Sequence, residues 1–298
     1  MVILFIFFFI FMLLFPIETF QGALSGLYLW FQTVLPTLLP FAIISNLLIQ
    51  TNTVFVISKW LSPILSRVFN VSAPATYAIF VGFLCGYPMG AKAISDLIMN
   101  KQISQKEGQY LLSFCNNTSP IFIISFVVTQ HFQDNTLLFP TLLILTFSPI
   151  LCSFYFRKYY KSEAYIKQKT EDLPICFHFN ILDNAIMNGF ETLTKVGGYI
   201  ILFSILFRLG KHLNIPFLMP FLEITNGIPY ITNMNISFKI KYVITLCLTS
   251  FGGICAIFQT NSMIHDVGLS IKKYQKEKLI TAMVTSLLAY VYISIIRA

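Results

Sequence analysis

Two pairs of oppositely charged side chains lie within apolar stretches of this sequence, where ionisable groups are functional candidates by default. Lys92 and Asp96 are four residues apart, as are Glu191 and Lys195, so each pair shares a face if its segment is helical. The first pair either lies at the membrane interface or closes one side of a cavity. The second is either a neutralised packing pair or a gating or coupling pair.

Polar side chains also cluster where two apolar segments are interrupted. The first interruption is Gly86–Gly90 (GYPMG) and the second is Asn116–Pro120 (NNTSP). Glycine frees the backbone, and proline is excluded from helix interiors. Non-helical backbone at membrane depth persists only where it is packed in protein or lines a water-filled cavity. We therefore expect the two breaks to face each other and to form a solute site near the bilayer midplane, as interrupted helices do in transporters.

A third interruption, Gly252-Gly253, precedes a polar group at residues 259–261. Unwound backbone and amide or hydroxyl side chains can coordinate a polar solute or an ion. The alternative is that these side chains bond one another and serve only helix packing. The predicted solute contacts are Gly86, Tyr87, Pro88, Gly90, Lys92, Asn116, Asn117, Thr118, Ser119, Gln259, Thr260 and Asn261.

No arrangement in the sequence indicates catalysis. Neither a serine paired with lysine or histidine nor a pair of carboxylates stands at helical spacing beside the breaks, and no HExxH motif occurs. The six cysteines and four histidines show no metal-ligand spacing. We therefore predict no catalytic residue, no metal, no cofactor and no enzymatic activity.

Composition defines the class of protein. The chain has 298 residues, of which 56% are hydrophobic and 11% charged, whereas soluble domains carry about 25% charged residues. This predicts a multi-pass membrane protein. The net charge of +8 comes from residues in short loops, which fits the positive-inside rule better than nucleic-acid binding. The most basic loop, 157–183, is assigned to the cytoplasm.

The apolar stretches predict an all-α polytopic protein. Residues 54–69 indicate an interfacial or half-inserted helix, and the polar, proline-containing stretch 211–238 indicates a surface excursion. Pro36 and Pro40 should kink their segment. Residues 109–130 are interpreted as one span unwound in its middle. The remaining predicted apolar segments are 2–17, 23–49, 73–99, 136–156, 184–209, 241–263 and 279–296.

The two halves show the same order of features. An offset of 166 (252 − 86) aligns Gly86 with Gly252 and Ser104 with Ser270. We therefore predict two pseudo-repeats, each with a re-entrant or broken helical hairpin. The predicted divisions are an N-terminal helix at 1–20, a first repeat at 21–156, the basic loop at 157–183 and a second repeat at 184–298.

Three stretches carry a family resemblance: Gly82–Lys92 (GFLCGYPMGAK), Ile103-Ser104, and Leu112–Asn117 (LSFCNN). They resemble the YlbJ-type sporulation integral membrane proteins, which are similar to proteins with the nucleoside-recognition Gate domain. The resemblance implies an inner-membrane protein of endospore-forming bacteria that is needed for spore formation. It also implies a fold like half of a nucleoside transporter, with paired re-entrant hairpins.

The resemblance leaves two functions open. Nucleoside transporters of this type carry Gln-Thr-Glu and Asn-Glu-Phe signatures, whereas the breaks here have no carboxylate beside them in the sequence. One function is a permease or binder of a small polar solute, such as a nucleoside-like compound. The other is a non-transporting membrane scaffold for sporulation or spore-envelope assembly. The expected partners are the lipid bilayer, such a solute, and further copies of the chain or other sporulation membrane proteins.

Overall fold

The computed structural model describes residues 2–160, 178–210 and 219–296, with side chains from Ile6 onward. The first helices are α1 (Val2–Leu14), α2 (Pro16–Leu29) and α3 (Leu35–Gln50). A π-helical turn, Trp30–Val34, joins α2 to α3. Pro36 lacks an N–H and its ring crowds the preceding turn, so a widened turn ahead of it lets the helix continue. In place of the kink expected at Pro36 there is this widened turn, and residues 16–50 form one continuous helical run.

The first broken hairpin follows a bent helix pair. In chain order the elements are α4 (Val54–Phe69), α5 (Ala73–Cys85), α6 (Met89–Met99), α7 (Gln105–Cys115) and α8 (Pro120–Phe122). Helices α4 and α5 meet at 89°, and the interfacial or half-inserted placement of 54–69 stays a prediction. Helix α8 continues as a π-helical run, Ile123–Phe132. The predicted span is thus interrupted between α7 and α8, as expected.

The second half begins after helix α9 (Leu138–Phe156). A long helix, α10 (Phe179–Gly210), follows the residues outside the described ranges. The last four helices are α11 (Ile224–Thr232), α12 (Phe238–Phe251), α13 (Gly253–Ile264) and α14 (Ile271–Ile296). Short 3₁₀ turns lie at Asn135–Leu137, Met219–Phe221 and His265–Val267.

Six helical runs in the described ranges are long and apolar enough to cross a membrane, or seven if α4 and α5 form one span. This count rests on length and composition, since the structure contains no membrane. It agrees with the all-α, multi-pass architecture predicted from composition.

Two predictions about the second half are wrong. Residues 219–232 do not lie at the surface, because Pro220, Glu223 and Ile228 are buried; residues 211–218 lie outside the described ranges. The final helix begins at Ile271 rather than at 279, so the polar sequence before 279 is helical. Both errors have one cause. In each stretch the buried residues recur at helical spacing on one face, and the average polarity of the stretch does not reveal that face.

The helix starts at Ser104 and Ser270 confirm the shared order of the two halves. The Ser104 hydroxyl accepts a hydrogen bond from the Glu107 amide at 3.2 Å, and the Ser270 hydroxyl accepts one from the Lys273 amide at 3.4 Å. The Gln109 side chain bonds the Ser270 backbone at 2.6 and 3.3 Å, which places the starts of α7 and α14 side by side. The predicted repeat boundaries stay predictions, and residues 161–177 of the basic loop lie outside the described ranges.

Candidate functional site

The two breaks of the first hairpin are in direct contact. The Tyr87 amide donates to the Asn117 carbonyl oxygen at 2.6 Å. Gly86 has φ +82°, a conformation that favours glycine. A Cβ added at Gly82 would lie 2.0 Å from the Cys115 carbonyl oxygen. The chain thus approaches residues 115–119 so closely that only glycine fits, and the expected facing of the two breaks is confirmed.

Asn116 is fully buried and joins three elements. Its Oδ1 accepts from the Ala91 amide at 3.2 Å, at the start of α6. Its Nδ2 donates to the Thr260 hydroxyl and to the Tyr274 hydroxyl, each at 2.9 Å. Both of its amide N–H groups and its oxygen are therefore satisfied inside the protein. Asn116 holds α6, α13 and α14 together.

Asn117 contacts a buried lysine, Lys278, which lies just before the predicted apolar segment 279–296. Its Nδ2 donates to the Phe114 carbonyl at 2.6 Å, and its Oδ1 accepts from Lys278 Nζ at 2.9 Å. Lys278 is only 2% exposed and also donates to the Ser250 carbonyl at 3.2 Å. The signal was available in the sequence. On α14 the polar or aromatic residues Tyr274, Lys278, Thr281 and Thr285 recur at helical spacing and are all buried.

A cavity of about 90 Å³ lies between the broken segments of the two halves. Helices α3 and α10 complete its wall. Ligand pockets begin at roughly 300 Å³, so this arrangement has room for a small solute or a few waters but not for a nucleoside. The polar residues that line it are Thr33, Thr37, Tyr87, Thr118, Ser119, Ser125, Glu223, Thr225 and Gln259.

Four of the predicted contacts line this cavity: Tyr87, Thr118, Ser119 and Gln259. The Thr118 hydroxyl donates to the Thr249 carbonyl at 2.6 Å and is also hydrogen-bonded to the Tyr87 side chain. Ser119 Oγ caps α8 by accepting from the Phe122 amide at 3.3 Å. The remaining predicted contacts lie outside the cavity lining: Gly86, Pro88, Gly90, Lys92, Asn116, Asn117, Thr260 and Asn261. Of these, Asn261 is exposed.

Glu223 is the charged residue of the cavity wall, and the sequence analysis did not single it out. Its side chain is 2% exposed and caps α11, with Oε1 accepting from the Thr225 amide at 3.0 Å. Oε2 accepts from the Asn226 amide and from Asn226 Nδ2, both at 2.9 Å.

The residue before Glu223 bonds the break at Gly252-Gly253, and Glu223 shares the cavity lining with Gly252. The Cys255 amide, just after Gly253, donates to the Leu222 carbonyl at 2.9 Å. Tertiary structure therefore supplies the carboxylate that is absent from the sequence at the breaks. A carboxylate at the cap position of an amphipathic helical stretch was the available clue.

The two charged pairs identified from spacing both form, but away from the cavity lining. Lys92 and Asp96 make a close ion pair with side chains 19% and 10% exposed. Lys195 and Glu191 pair at 2.8 Å with side chains 50% and 64% exposed. The gating or coupling role of Glu191 and Lys195 stays a prediction. Across the described ranges no group of three or more metal-ligating side chains comes together.

Comparison with known proteins agrees with the helical architecture. Residues 31–133 match the nucleoside-recognition family, Gate. The match runs from the π-helical turn before α3 to the end of the π-helical run after α8, so it contains both contacting breaks. The sporulation integral membrane protein YlbJ of Bacillus subtilis (strain 168) is 26% identical over 300 positions, covering 87% of this chain and 74% of YlbJ. No solved structure matches the chain. Together with the helical spans, these similarities show a multi-pass protein of the cell membrane.

Proposed function

We propose that the protein binds a small polar solute in the cavity between its broken helices, carries it across the membrane, and acts in spore formation. One observation carries the solute site: a single cavity is lined by the break at Tyr87, by the break at Thr118-Ser119 and by the break at Gly252. Irregular backbone from both halves thus surrounds one hollow, which is the arrangement expected of a transporter site. The similarity to YlbJ supports the role in spore formation.

Most of the cavity wall is apolar, and a few polar groups would orient a solute within it. Thr37 Oγ donates to the Thr33 carbonyl at 2.6 Å, so its lone pairs remain available to a donor on the solute. Glu223 Oε1 accepts one hydrogen bond inside the protein, and a carboxylate oxygen can accept two. Helices α8, α11 and α13 begin at the cavity, and their N-terminal ends carry partial positive charge, although amides in their first turns already bond Ser119, Glu223 and the Leu222 carbonyl. A solute with both donors and acceptors fits this wall, and a nucleoside requires the two halves to separate first.

The test is ligand discovery on the purified protein. Compounds that co-purify are identified by mass spectrometry and added back in a thermal melt. A compound that binds the folded state at 100 times its Kd stabilises it by about 2.7 kcal/mol. We expect at least one polar metabolite to raise the melting temperature, and we expect deletion of the gene from its endospore-forming host to lower the yield of heat-resistant spores.

Two matched pairs of variants separate the cavity from general stability. Thr37→Val removes a cavity hydroxyl, and Thr129→Val removes an exposed one with a similar backbone bond, to the Ile124 carbonyl at 2.8 Å. Glu223→Gln and Asp134→Asn each neutralise a helix-capping carboxylate; Asp134 accepts from the Thr136 amide at 3.0 Å.

The cavity variants should lose the ligand-dependent melting shift and the spore yield, and their partners should keep both. If both cavity variants retain full spore yield, the solute site is disproved. Sensitivity to substitution of the basic residues at 157–169 would then favour the membrane scaffold.

A further inference from the structure

The ammonium of Lys278 lies between the carboxyl ends of two interrupted helices. Helix α7 ends at Cys115 and α12 ends at Phe251. Lys278 Nζ donates to Asn117 Oδ1, just past the end of α7, at 2.9 Å, and to the Ser250 carbonyl, in the last turn of α12, at 3.2 Å. One side chain on the uninterrupted α14 therefore connects the broken segments of both halves.

The electrostatics of this position suit a cation. Helix C-termini carry partial negative charge, and transporters hold coupling cations with unwound carbonyls and half-helix C-terminal ends. The ion pairs formed by described residues do not include Lys278. Its titratable neighbours are the thiols of Cys115 and Cys152 and the ring of Tyr274, whose centroid is 6.0 Å from Nζ. The adjacent Glu277 is bonded to the Tyr160 hydroxyl instead. Neutral oxygens and helix ends are thus what compensates a buried ammonium, whose desolvation is costly.

We propose that Lys278 is a resident cation, which occupies the position that a coupling cation would hold between the two broken segments. Solute binding by this protein then requires no sodium or potassium. This inference rests on the proposed solute site and specifies its cation requirement. An ammonium on α14 is permanently tethered, so it fixes Asn117 and Ser250 relative to each other whatever salt is present.

The first experiment uses the unmodified protein. Its melting temperature, and the shift produced by the co-purifying solute, are measured in sodium chloride, potassium chloride and choline chloride at equal ionic strength. We expect equal values in all three salts, because the cation position is already filled. A melting temperature or solute shift that rises specifically in sodium or potassium would overturn the inference.

The second experiment empties the position. Lys278→Ala should melt at a lower temperature in choline chloride and recover part of the loss in sodium or methylammonium chloride, since these small cations fit the vacated space and choline does not. Lys276→Ala, an exposed lysine on the same helix, should show no such salt dependence. A Lys278→Ala protein that is as stable as the unmodified protein, or one insensitive to the choice of cation, contradicts the proposal.

A third variant covers the case in which Lys278→Ala does not fold. Lys278→Gln keeps a hydrogen-bond donor, one bond closer to the backbone, and removes the positive charge. The resident-cation role predicts that Lys278→Gln loses stability and solute binding. If Lys278→Gln behaves like the unmodified protein, the lysine is only a hydrogen-bond donor and the inference is wrong.

These outcomes also distinguish the inference from the proposed function. A solute that binds only in sodium leaves the solute site standing and removes the resident cation. Failure of every polar metabolite to bind removes the solute site, while the salt response of Lys278→Ala still reports on the cation position.

Discussion

The two broken hairpins share a glycine and differ in the helix that each one meets. Gly86 and Gly252 have nearly the same φ, +82° and +84°, and they are aligned by the offset of 166. The first hairpin packs against α7, which is itself interrupted after Cys115. The second has at the corresponding place α14, which runs unbroken from Ile271 to Ile296.

The residues four positions before and after each shared glycine reflect that difference. In the first copy Gly82, Gly86 and Gly90 all abut residues 115–119. In the second copy the same offset gives Leu248, Gly252 and Ala256. Leu248 joins an apolar cluster with α11, and Ala256 lines the cavity. The central glycine is therefore required by backbone conformation in both copies, whereas the flanking glycines are required only where another backbone approaches closely.

The unbroken α14 places a charged side chain at the contact between the halves, whereas the broken α7 exposes backbone groups there. At the offset of 166, Lys278 corresponds to Leu112, which is fully buried and apolar. The second copy thus has one helix break fewer than the first. It has an ammonium at the contact between the halves instead. An interrupted helix and a buried lysine are two ways of placing polar groups at the same depth.

The largest expected effect is that of Gly82→Ala, which would break the close approach of the first copy. The new Cβ would lie 2.0 Å from the Cys115 carbonyl oxygen, and backbone on both sides cannot yield. Overpacking typically costs 1–3 kcal/mol, and we expect about 3 kcal/mol or more here. Loss of the folded peak in size-exclusion chromatography, or a strongly lowered melting temperature, would show it. Gly198→Ala is the control, because a Cβ there meets no atom within 4 Å.

Asn116→Ala should have the next largest effect, and an exposed asparagine of the second copy serves as its control. It removes three hydrogen bonds and leaves the buried Thr260 and Tyr274 hydroxyls without that partner. At about 1 kcal/mol for each bond, the expected loss of unfolding free energy is about 2–4 kcal/mol. Asn261→Ala, at the exposed end of the second copy's polar group, should change stability by less than about 0.5 kcal/mol. Equal melting temperatures for the two variants would refute the structural role of Asn116.

The smallest expected effect is the difference in stability between two substitutions of the shared glycine. Gly86→Ala and Gly252→Ala both place a side chain at positive φ, which costs about 1–2 kcal/mol. At Gly86 the Cβ would also meet the Ser119 amide nitrogen at 2.7 Å, whereas at Gly252 its nearest neighbour is Ala256 Cβ at 3.1 Å. We expect Gly252→Ala to lower stability by the conformational cost alone and Gly86→Ala to lower it further. A comparative thermal melt measures the difference, and the reverse order would contradict the account of the two copies.

Much of the fold could be predicted from the sequence because membrane burial imposes strong local rules. A lipid environment leaves the backbone no partner but itself, so glycine and proline within apolar sequence identified the breaks at Gly86, Asn116 and Gly252. The stretches around Glu223 and Lys278 were misjudged, since each was polar on average. Their burial depends on which face of α11 and α14 meets other helices, and average polarity carries no information about direction.

The sequence by itself determined where the helices break, that the two halves repeat one order of elements, and that the breaks must be covered by protein. Only the tertiary structure decided what each polar group at the breaks does. It satisfied Asn116 with Thr260 and Tyr274, brought Glu223 to the cavity wall and placed Lys278 between two helix ends. The physical reason is that a break follows from the conformational limits of its own residues, whereas the partner of a buried polar group is set by contacts between residues far apart in the chain.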